Sequence, residues 1–213
     1  MKLYDYFRSS AAYRVRIALA LKGLESEAVS INLKPGVSEH KSESYRAINP
    51  QGRVPYLVDG DVALGQSPAI LEYLEEAYPE PPLLPVSLAD RAMVRQLANI
   101  IACDIHPLNN LSVLLKLKQT FSADEATVNA WYSDWIIQGF QAFEALIANK
   151  QGAYCFGDVP TFADIYLVPQ VYNARRFNVP LDAFPSIVRV DATCNKLAAF
   201  QKALPENQPD AKG

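Results

Sequence analysis

Four prolines stand close together in this chain, at positions 79, 81, 82 and 85. Proline lacks a backbone N–H and fixes φ, so such a segment can be neither a helix interior nor a central strand. A length of 213 residues fits one large domain or two smaller ones. We therefore predict a linker at residues 81–89 that joins a domain at 1–80 to a second domain at 90–213.

The first domain has the pattern of short strands alternating with helices. Asp59-Gly60 between two apolar runs predicts a hairpin, and Ser67-Pro68 predicts a helix start with serine as N-cap and proline at N1. The other elements predicted here are a strand at 2–7, a helix at 13–21, a strand at 27–33 and a short helix near 39–45. The predicted order is βαβ-α-ββα.

The second domain has a different periodicity, because its apolar residues recur at helical spacing over long stretches. One stripe runs from Met93 to Leu115 and predicts a single long helix, and another runs from Val128 to Leu146. Thr161 and Asp164 have the spacing of a capping box at the start of a further helix. We predict an all-helical domain whose last residues, 206–213, are frayed.

Charge and residue usage exclude several kinds of function. A net charge of -3 and a pI of about 5.4 argue against a nucleic-acid partner, because phosphates require a basic surface. The chain has two histidines and three widely spaced cysteines, which predicts no metal site and no disulfide framework. Small-molecule chemistry or protein binding remains.

No segment of the chain has the composition of a membrane span or an export signal. Ile105 to Leu115 is the longest run without charge, and a span needs about 20 apolar residues. Arg8 and Arg14 interrupt the region where a secretory signal needs an unbroken apolar core. We expect a cytoplasmic protein that does not contact membranes.

Two predicted helix starts and one strand edge carry the candidate chemistry. Arg8-Ser9-Ser10 precedes the first helix, where N–H groups and the helix dipole favour an anion such as a thiolate; plain N-capping is the alternative. Val54-Pro55 opens a strand that could pair with a peptide-like ligand, and Gln66-Ser67 could hold a carboxylate. An ordinary turn and an ordinary cap explain the last two equally well.

The sequence resembles one known family along nearly its full length. Residues 6–23, YFRSSAAYRVRIALALKG, resemble the opening of zeta-class glutathione transferases, the maleylacetoacetate isomerases. Further motifs of this family follow in the same order: Asn49-Pro50, Val54-Pro55, Gln66-Ser67, the run at 107–114 and Leu167-Val168-Pro169-Gln170-Val171. The resemblance implies a glutathione transferase fold, an α/β thioredoxin-like N-terminal domain followed by an all-α domain, in a homodimer.

The same resemblance implies glutathione as cofactor and assigns roles to residues. Ser9, Ser10, Arg8 and Arg176 correspond to catalytic positions, with the serines facing the glutathione sulfur and Arg176 receiving a substrate carboxylate. The implied cofactor-binding residues are Ser9, Ser10, His40, Val54, Gln66, Ser67, His106, Asn110, Leu111 and Ser112. In the family the bond that joins Val54 to its proline is cis.

The implied activity is glutathione-dependent cis–trans isomerisation of a diacid, maleylacetoacetate to fumarylacetoacetate, in aromatic amino-acid catabolism. Two positions depart from the family pattern: Ala11 replaces the usual cysteine, and His106 replaces a glutamine and resembles bacterial maleylpyruvate isomerases. A maleylpyruvate isomerase, a transferase that conjugates small electrophiles and a non-catalytic binding protein are the alternatives. For His106 the alternative is a bond to a carbonyl freed by Pro107.

Overall fold

The structure, a computed structural model, describes residues 1–212 and contains two compact units. Unit 1 comprises residues 1–83 together with the tail that begins at Lys196, and unit 2 comprises Leu84–Asn195. We had predicted that everything from residue 90 onward packs in the second domain. The tail packs instead with unit 1, and the sequence carries no signal for where a terminal segment docks.

The helices and strands follow in the order β1 (Lys2–Asp5), α1 (Ser10–Leu21), β2 (Glu27–Ser30), α2 (Glu43–Ile48), β3 (Tyr56–Asp59), β4 (Val62–Gly65), α3 (Ser67–Ala77), α4 (Leu88–Asn99), a π-helix (Ile100–Ile105), α5 (His106–Asn109), α6 (Leu111–Phe121), α7 (Glu125–Ile147), α8 (Phe162–Arg176), α9 (Pro185–Cys194) and α10 (Ala198–Ala203). Short 3₁₀ turns lie at Glu39–Lys41, Pro205–Asn207 and Pro209–Lys212.

Unit 1 is built on a four-stranded sheet of order β2-β1-β3-β4. β1 pairs with β2 in parallel and with β3 antiparallel, and β3 pairs with β4 through the hairpin at Asp59-Gly60. The predicted βαβ-α-ββα order and the thioredoxin-like fold are confirmed. Helix α1 packs against α3 and against α10 of the tail.

A buried ion pair between Lys22 and Glu75 lies near the end of the first segment of unit 1. Lys22 at the end of α1 lies 2.9 Å from the Glu75 carboxylate, and its amino group donates to the carbonyls of Tyr78 and Pro81. Both Glu75 carboxylate oxygens accept the N–H of Leu83. The predicted proline-rich linker is therefore fixed to α1 and α3 up to Leu83.

Unit 2 is helical throughout its regular structure and is organised around α8. Most of this helix is buried, and it packs against α4 and α9. The capping box predicted at its start is confirmed, because Asp164 accepts the N–H of Thr161 at 2.8 Å and its hydroxyl at 3.0 Å.

The single long helix predicted from Met93 to Leu115 is wrong. The chain passes from α4 into a π-helix and α5, and then turns at Asn110, whose backbone is extended (φ -75°, ψ 160°), before α6 begins. Pro107 supplies no N–H to the helical ladder, and the Asn110 side chain captures N–H groups of the next helix. Apolar spacing continues across this break, although none of the residues of α6 is buried.

Fraying of the C-terminal residues is also wrong for those that the structure describes. The Asp210 carboxylate accepts the N–H of Phe7 and the hydroxyl of Ser30 in unit 1. Within residues 1–212, no helix has the length and apolar character needed to cross a membrane.

Candidate functional site

Ser9 and Ser10 lie at the start of α1, as the sequence predicted. Ser9 is the N-cap, and its Oγ accepts the N–H of Ala12 at 3.2 Å. A hydroxyl that accepts through a lone pair still carries its own proton, so capping leaves Ser9 able to donate to an anion. Ser10 is buried in the first turn. The capping and anion-binding interpretations of Ser9 are therefore compatible.

Arg8 stands beside these serines and is exposed. Its guanidinium carbon lies 4.8 Å from the centre of the Phe7 ring, a cation–π contact that orients the side chain while its donors face solvent. This arrangement suits a cation that meets an incoming anion.

The start of α3 brings Gln66 and Ser67 next to a buried arginine of α1. Gln66 is the N-cap and has φ of +67°, a conformation that a non-glycine residue adopts only when the surroundings impose it. Ser67 is the first helical residue and not the N-cap, so α3 begins one residue earlier than predicted, and the Ser67 Oγ accepts a bond of 3.2 Å from Arg14 Nη1. The helix N-terminus and the guanidinium together make this a site for a carboxylate.

The loop before β3 has the backbone geometry that the resemblance implied. The Val54-Pro55 bond is cis, and Val54 is 9% exposed. Asn49 Nδ2 and the Tyr45 hydroxyl each donate to the Arg53 carbonyl at 2.7 Å. Asn49-Pro50 thus organises the loop that presents Val54.

Gln51 and Gly52 join this loop to the other predicted residues of unit 1. Gln66 Nε2 donates to Gln51 Oε1 at 2.7 Å. A Cβ on Gly52, which has φ of +60°, would lie 2.7 Å from the His40 carbonyl oxygen, so only glycine lets these segments approach. The 49–55 loop therefore lies against both Gln66 and the His40 backbone.

His40 is neutral at pH 7 in this setting. Partial burial lowers its pKa below 6.5, and the charges of Lys41 and Arg46 lower it further. Its Nδ1 is buried and has no hydrogen-bond partner among residues 1–212. A neutral imidazole with an unused ring nitrogen can bind a polar end of a ligand.

The segment at 106–112 in unit 2 is shaped by the Asn110 side chain. Asn110 Oδ1 accepts the N–H groups of Ser112 and Val113 at 2.9 and 3.3 Å and the Ser112 hydroxyl at 2.5 Å, while Nδ2 donates to the Pro107 carbonyl. Leu111 and Ser112 are exposed on the first turn of α6, and His106 is half-buried. The cofactor-binding roles of these residues remain predictions, and Asn110 has a clear structural role as a cap.

Helix α7 connects this segment with the end of α8. Trp131 Nε1 donates to the Leu108 carbonyl at 2.7 Å, and the next residue, Tyr132, stacks on Phe177 with ring centres 3.8 Å apart. Burial raises the pKa of the Tyr132 phenol, although the nearby Arg176 charge lowers it, so the hydroxyl stays protonated.

The two arginines at the end of α8 have different surroundings. Arg175 forms an ion pair with Asp191 at 2.6 Å, and the Asp191 side chain is buried. Arg176 is exposed, lies over the Phe177 ring at 5.0 Å and has no carboxylate partner among the described residues. Ion pairing with Asp191 occupies Arg175 and leaves Arg176 as the candidate for a ligand carboxylate.

The π-helix before His106 depends on a glycine of α7. A Cβ on Gly139 would lie 2.3 and 2.4 Å from the Cδ1 and Cγ1 atoms of Ile105, which is fully buried. π-Helical turns are rare and tend to occur at functional sites. The absence of a side chain at Gly139 thus leaves space on α7 for Ile105. Packing of Ile105 there fixes the end of the π-helix, and His106 is the next residue.

Sequence reasoning missed several residues that hold these groups in place. The sequence does not indicate the bond from the Arg14 guanidinium to Ser67, nor the roles of Gln51, Tyr45 and Gly139. Their partners are distant in the sequence, so no local pattern indicates them. No group of three or more His, Cys, Asp or Glu in the described part of the chain is arranged to hold a metal ion.

Comparison with known families agrees with this geometry. The family model described as "Glutathione S-transferase, N-terminal domain" matches residues 3–82, which are most of the main segment of unit 1.

Full-length relatives carry two related names. A maleylpyruvate isomerase of a Ralstonia species is 53% identical over 99% of this chain and 100% of its own length. A maleylacetoacetate isomerase of Pseudomonas aeruginosa is 52% identical over 99% of this chain and 98% of its own.

Two solved structures are similar over almost the whole chain. A holo maleylpyruvate isomerase, described as a bacterial zeta-class glutathione S-transferase, has a TM-score of 0.96 and 52% identity and covers 99% of this chain and 100% of its own. A maleylacetoacetate isomerase of Methylobacterium extorquens, solved with malonate and glutathione, has a TM-score of 0.94 and 37% identity, with 99% of both chains covered.

Proposed function

The chain belongs to the zeta class of glutathione S-transferases, and on that premise we propose that it is a glutathione-dependent cis–trans isomerase of maleyl keto acids. The observation that carries the proposal is the placement of these residues in unit 1: Ser9 caps α1, Ser67 begins α3 beside Gln66, and Val54 precedes the inner strand β3, so the strand edge expected from the sequence is not present. Such a set suits a small peptide with a thiol and a carboxylate.

The residues of unit 1 fit glutathione. Arg14 and the N-terminus of α3 provide positive potential at Ser67 for the γ-glutamyl carboxylate, and Gln66 is held beside it by Gln51. Val54, which precedes the cis bond to Pro55, corresponds in the family to the backbone partner of the cysteinyl unit, and His40 suits the glycine end. Bound glutathione supplies a thiolate that adds reversibly to the cis double bond, so that the bond can rotate before the sulfur leaves.

Ser9 and Ser10 keep the sulfur ionised. A hydroxyl donor at a helix N-terminus favours the charged form of a thiol, and each pKa unit corresponds to about 1.4 kcal/mol. Ala11 stands where the family usually has cysteine, so this chain needs no protein thiol at that position. The exposed Arg8 assists as a nearby cation.

Arg8 and Arg176 receive the carboxylates of the substrate. A guanidinium binds a carboxylate through two parallel N–H donors, which a lysine cannot do. Arg176 suits this role better than its neighbour because Asp191 already occupies Arg175.

We favour maleylacetoacetate as substrate because the run Asn110-Leu111-Ser112-Val113-Leu114 resembles that subgroup. Maleylpyruvate is the alternative, supported by His106 and by the relative from Ralstonia. The two relatives differ by one per cent in identity, so identity alone does not select between the substrates.

The direct test measures isomerisation of maleylacetoacetate and maleylpyruvate side by side, with and without glutathione. We expect turnover only with glutathione and a higher kcat/KM for maleylacetoacetate. A higher value for maleylpyruvate would replace the substrate assignment. Conjugation of small electrophiles without isomerisation would make the chain a transferase, and no heat of binding at millimolar glutathione would remove the proposal.

Arg176→Lys tests how the diacid is recognised. The variant keeps the charge and loses the planar fork, so KM for the diacid should rise by about tenfold while conjugation of an uncharged electrophile is unchanged. Arg175→Lys is the matched control, since a lysine can keep the ion pair with Asp191. Equal losses on both substrates in Arg176→Lys would assign this residue to the fold instead.

We further propose a cytoplasmic homodimer, as the family resemblance implies. Sedimentation at micromolar concentration tests the assembly, and a single species near 23.6 kDa would contradict it.

A further inference from the structure

We propose that Asp210, in the tail of the chain, is a positioning residue for the sulfur site, because it holds the β1–α1 loop (residues 6–9) in the conformation that presents Ser9. The inference rests on the proposed function for the role of Ser9. It concerns contacts inside unit 1, to which both the loop and the tail belong.

Both backbone polar groups of Phe7 are bound by side chains. The N–H donates to Asp210 Oδ2 at 3.0 Å, and the carbonyl accepts from Arg16 Nη2 at 3.0 Å. Phe7 is two residues before Ser9, so these bonds set the direction in which the chain enters α1.

The neighbouring residue is held from within the loop. The Tyr6 N–H donates to Asp5 Oδ1 at 2.6 Å, and the Tyr6 carbonyl accepts the Ser9 N–H at 2.8 Å. Because the Ser9 N–H bonds the Tyr6 carbonyl, the position of the Tyr6–Phe7 backbone determines the position of Ser9. The Ser9 backbone has φ of -74° and ψ of 115°, which places its hydroxyl at the helix start. Of the four bonds, only the one from Asp210 comes from outside the first strand and helix.

Arg16 shows that the tail is joined to the loop at a second point. Its guanidinium is buried, contacts both Asp5 carboxylate oxygens at 2.8 Å and donates through Nε to the Ala203 carbonyl at 3.1 Å. A buried guanidinium with these partners has one stable position, so α10 and the loop are fixed to the same group.

The carboxylate of Asp210 is aimed by Ser30, whose hydroxyl donates to Oδ2 at 3.1 Å. A cavity of about 220 Å³ lies between Tyr6 and Phe7 on one side and Pro209 and Asp210 on the other. Packing is therefore incomplete on this side of the loop. The Phe7 side chain packs in a buried cluster with Tyr6 and Ile31, and the bond to Asp210 fixes its backbone on the side of the cavity.

Asp210 could influence the sulfur pKa through its charge or through its hydrogen bond to the loop, and the two effects have opposite signs. A carboxylate near a thiolate opposes ionisation, so removing its charge should by itself favour the thiolate. Asp210→Asn removes the charge and keeps an oxygen that accepts the Phe7 N–H, whereas Asp210→Ala removes both. The two variants share the loss of charge and differ in whether residue 210 can accept the bonds from the Phe7 N–H and the Ser30 hydroxyl.

The experiment compares these two variants with the unaltered protein. It measures the pKa of the glutathione sulfur in the complex from thiolate absorbance, kcat and KM for glutathione, and hydrogen exchange of the amides in residues 6–9. Glu206→Ala is the control, because Glu206 is an exposed acid of the same tail. Thermal unfolding confirms that every variant is folded.

For Asp210→Ala we expect a raised sulfur pKa, a kcat lowered by about 3- to 10-fold and faster amide exchange at Phe7, with KM for glutathione changed less than about twofold. Asp210→Asn should retain slow exchange, and its sulfur pKa should be unchanged or lower. Glu206→Ala should match the unaltered protein.

Equal behaviour of Asp210→Ala and Asp210→Asn would overturn the inference, since charge alone would then explain the effect. No change in either variant would overturn it as well. Failure of the proposed function looks different: the unaltered protein would not bind glutathione, while the exchange rates at Phe7 would still report whether Asp210 holds the loop.

Discussion

The start of α1 in unit 1 and the segment at 106–112 in unit 2 both carry predicted site residues, yet they obtain their shape in different ways. Ser9 begins a regular helix with an ordinary cap, and Arg14 further along the same helix reaches Ser67. His106 follows a π-helix, and Asn110 interrupts the helical path altogether. A regular helix with a side-chain cap follows the first segment, whereas a π-helix that packs against Gly139 of α7 precedes the second.

This difference matters for how each region responds to substitution. A cap acts through its own side chain, so its loss should be confined to one helix start. A π-helix held by Gly139 transmits a change on α7 to the residue that follows Ile105. Three substitutions, ordered by expected effect, test whether the two regions differ in this way.

Ser9→Ala should have the largest effect, because it removes a donor to a charged sulfur along with the helix cap. A bond to a charged group contributes about 1.5–3 kcal/mol, so kcat/KM should fall at least tenfold. A pH titration of the bound sulfur should show a raised pKa.

Ser87→Ala is the matched control for this prediction, since Ser87 caps α4 through the same contact, 3.2 Å to the N–H of Asp90. It should cost about 0.5–2 kcal/mol of stability and leave the sulfur pKa unchanged. An unchanged sulfur pKa in Ser9→Ala would shift the main role to Ser10 or Arg8.

Gly139→Ala should have the next largest effect and should act at a distance. The new Cβ overlaps Ile105, and overpacking a core costs about 1–3 kcal/mol of unfolding free energy. Displacement of Ile105 moves His106, so KM for the diacid should rise, and glutathione affinity should fall less because the predicted cofactor-binding residues of unit 1 are not displaced.

The partner variant Ile105→Ala removes the atoms that Gly139→Ala meets. Denaturant unfolding of the double variant should show a smaller loss than the sum of the two single losses. Additive losses would mean that the two residues do not meet, and an equal fall in glutathione affinity would contradict the confinement of the effect to unit 2.

Gln51→Ala should have the smallest effect. It removes the partner of Gln66 Nε2 in a partly exposed bond between neutral groups, which contributes about 0.5–1.5 kcal/mol. KM for glutathione should rise by a few fold with kcat unchanged. A fall in kcat with constant KM would show that Gln51 serves the reaction step.

Sequence-based prediction succeeded for features that depend on a few adjacent residues, such as turns and helix caps. Asp59-Gly60, Thr161 with Asp164 and the serine before α1 each depend on a few adjacent residues, and all lie where they were predicted. Helix α3 begins one residue earlier than predicted, because the Ser67 hydroxyl accepts a bond from Arg14 and does not act as a helix cap. This bond depends on the packing of α1 against α3, which the local sequence does not indicate.

Long-range partners explain what the sequence did not indicate. The break at Asn110 was hidden because apolar spacing continues through it, and the docking of Asp210 on Phe7 joins residues 203 positions apart. A local sequence pattern indicates the conformation that one segment favours. These features depend on contacts with residues far away in the sequence. The same reason kept Arg14 and Gly139 out of the predicted site.

The division of unit 1 into two stretches of sequence also has a consequence for how the protein is made. Residues 1–83 leave the ribosome first, then all of unit 2, and only then α10 and the residues that reach Phe7 and Arg16. The β1–α1 loop therefore completes its hydrogen bonds only when the last part of the chain has been synthesised. A nascent chain has every residue of the helical unit before the tail can bind Phe7.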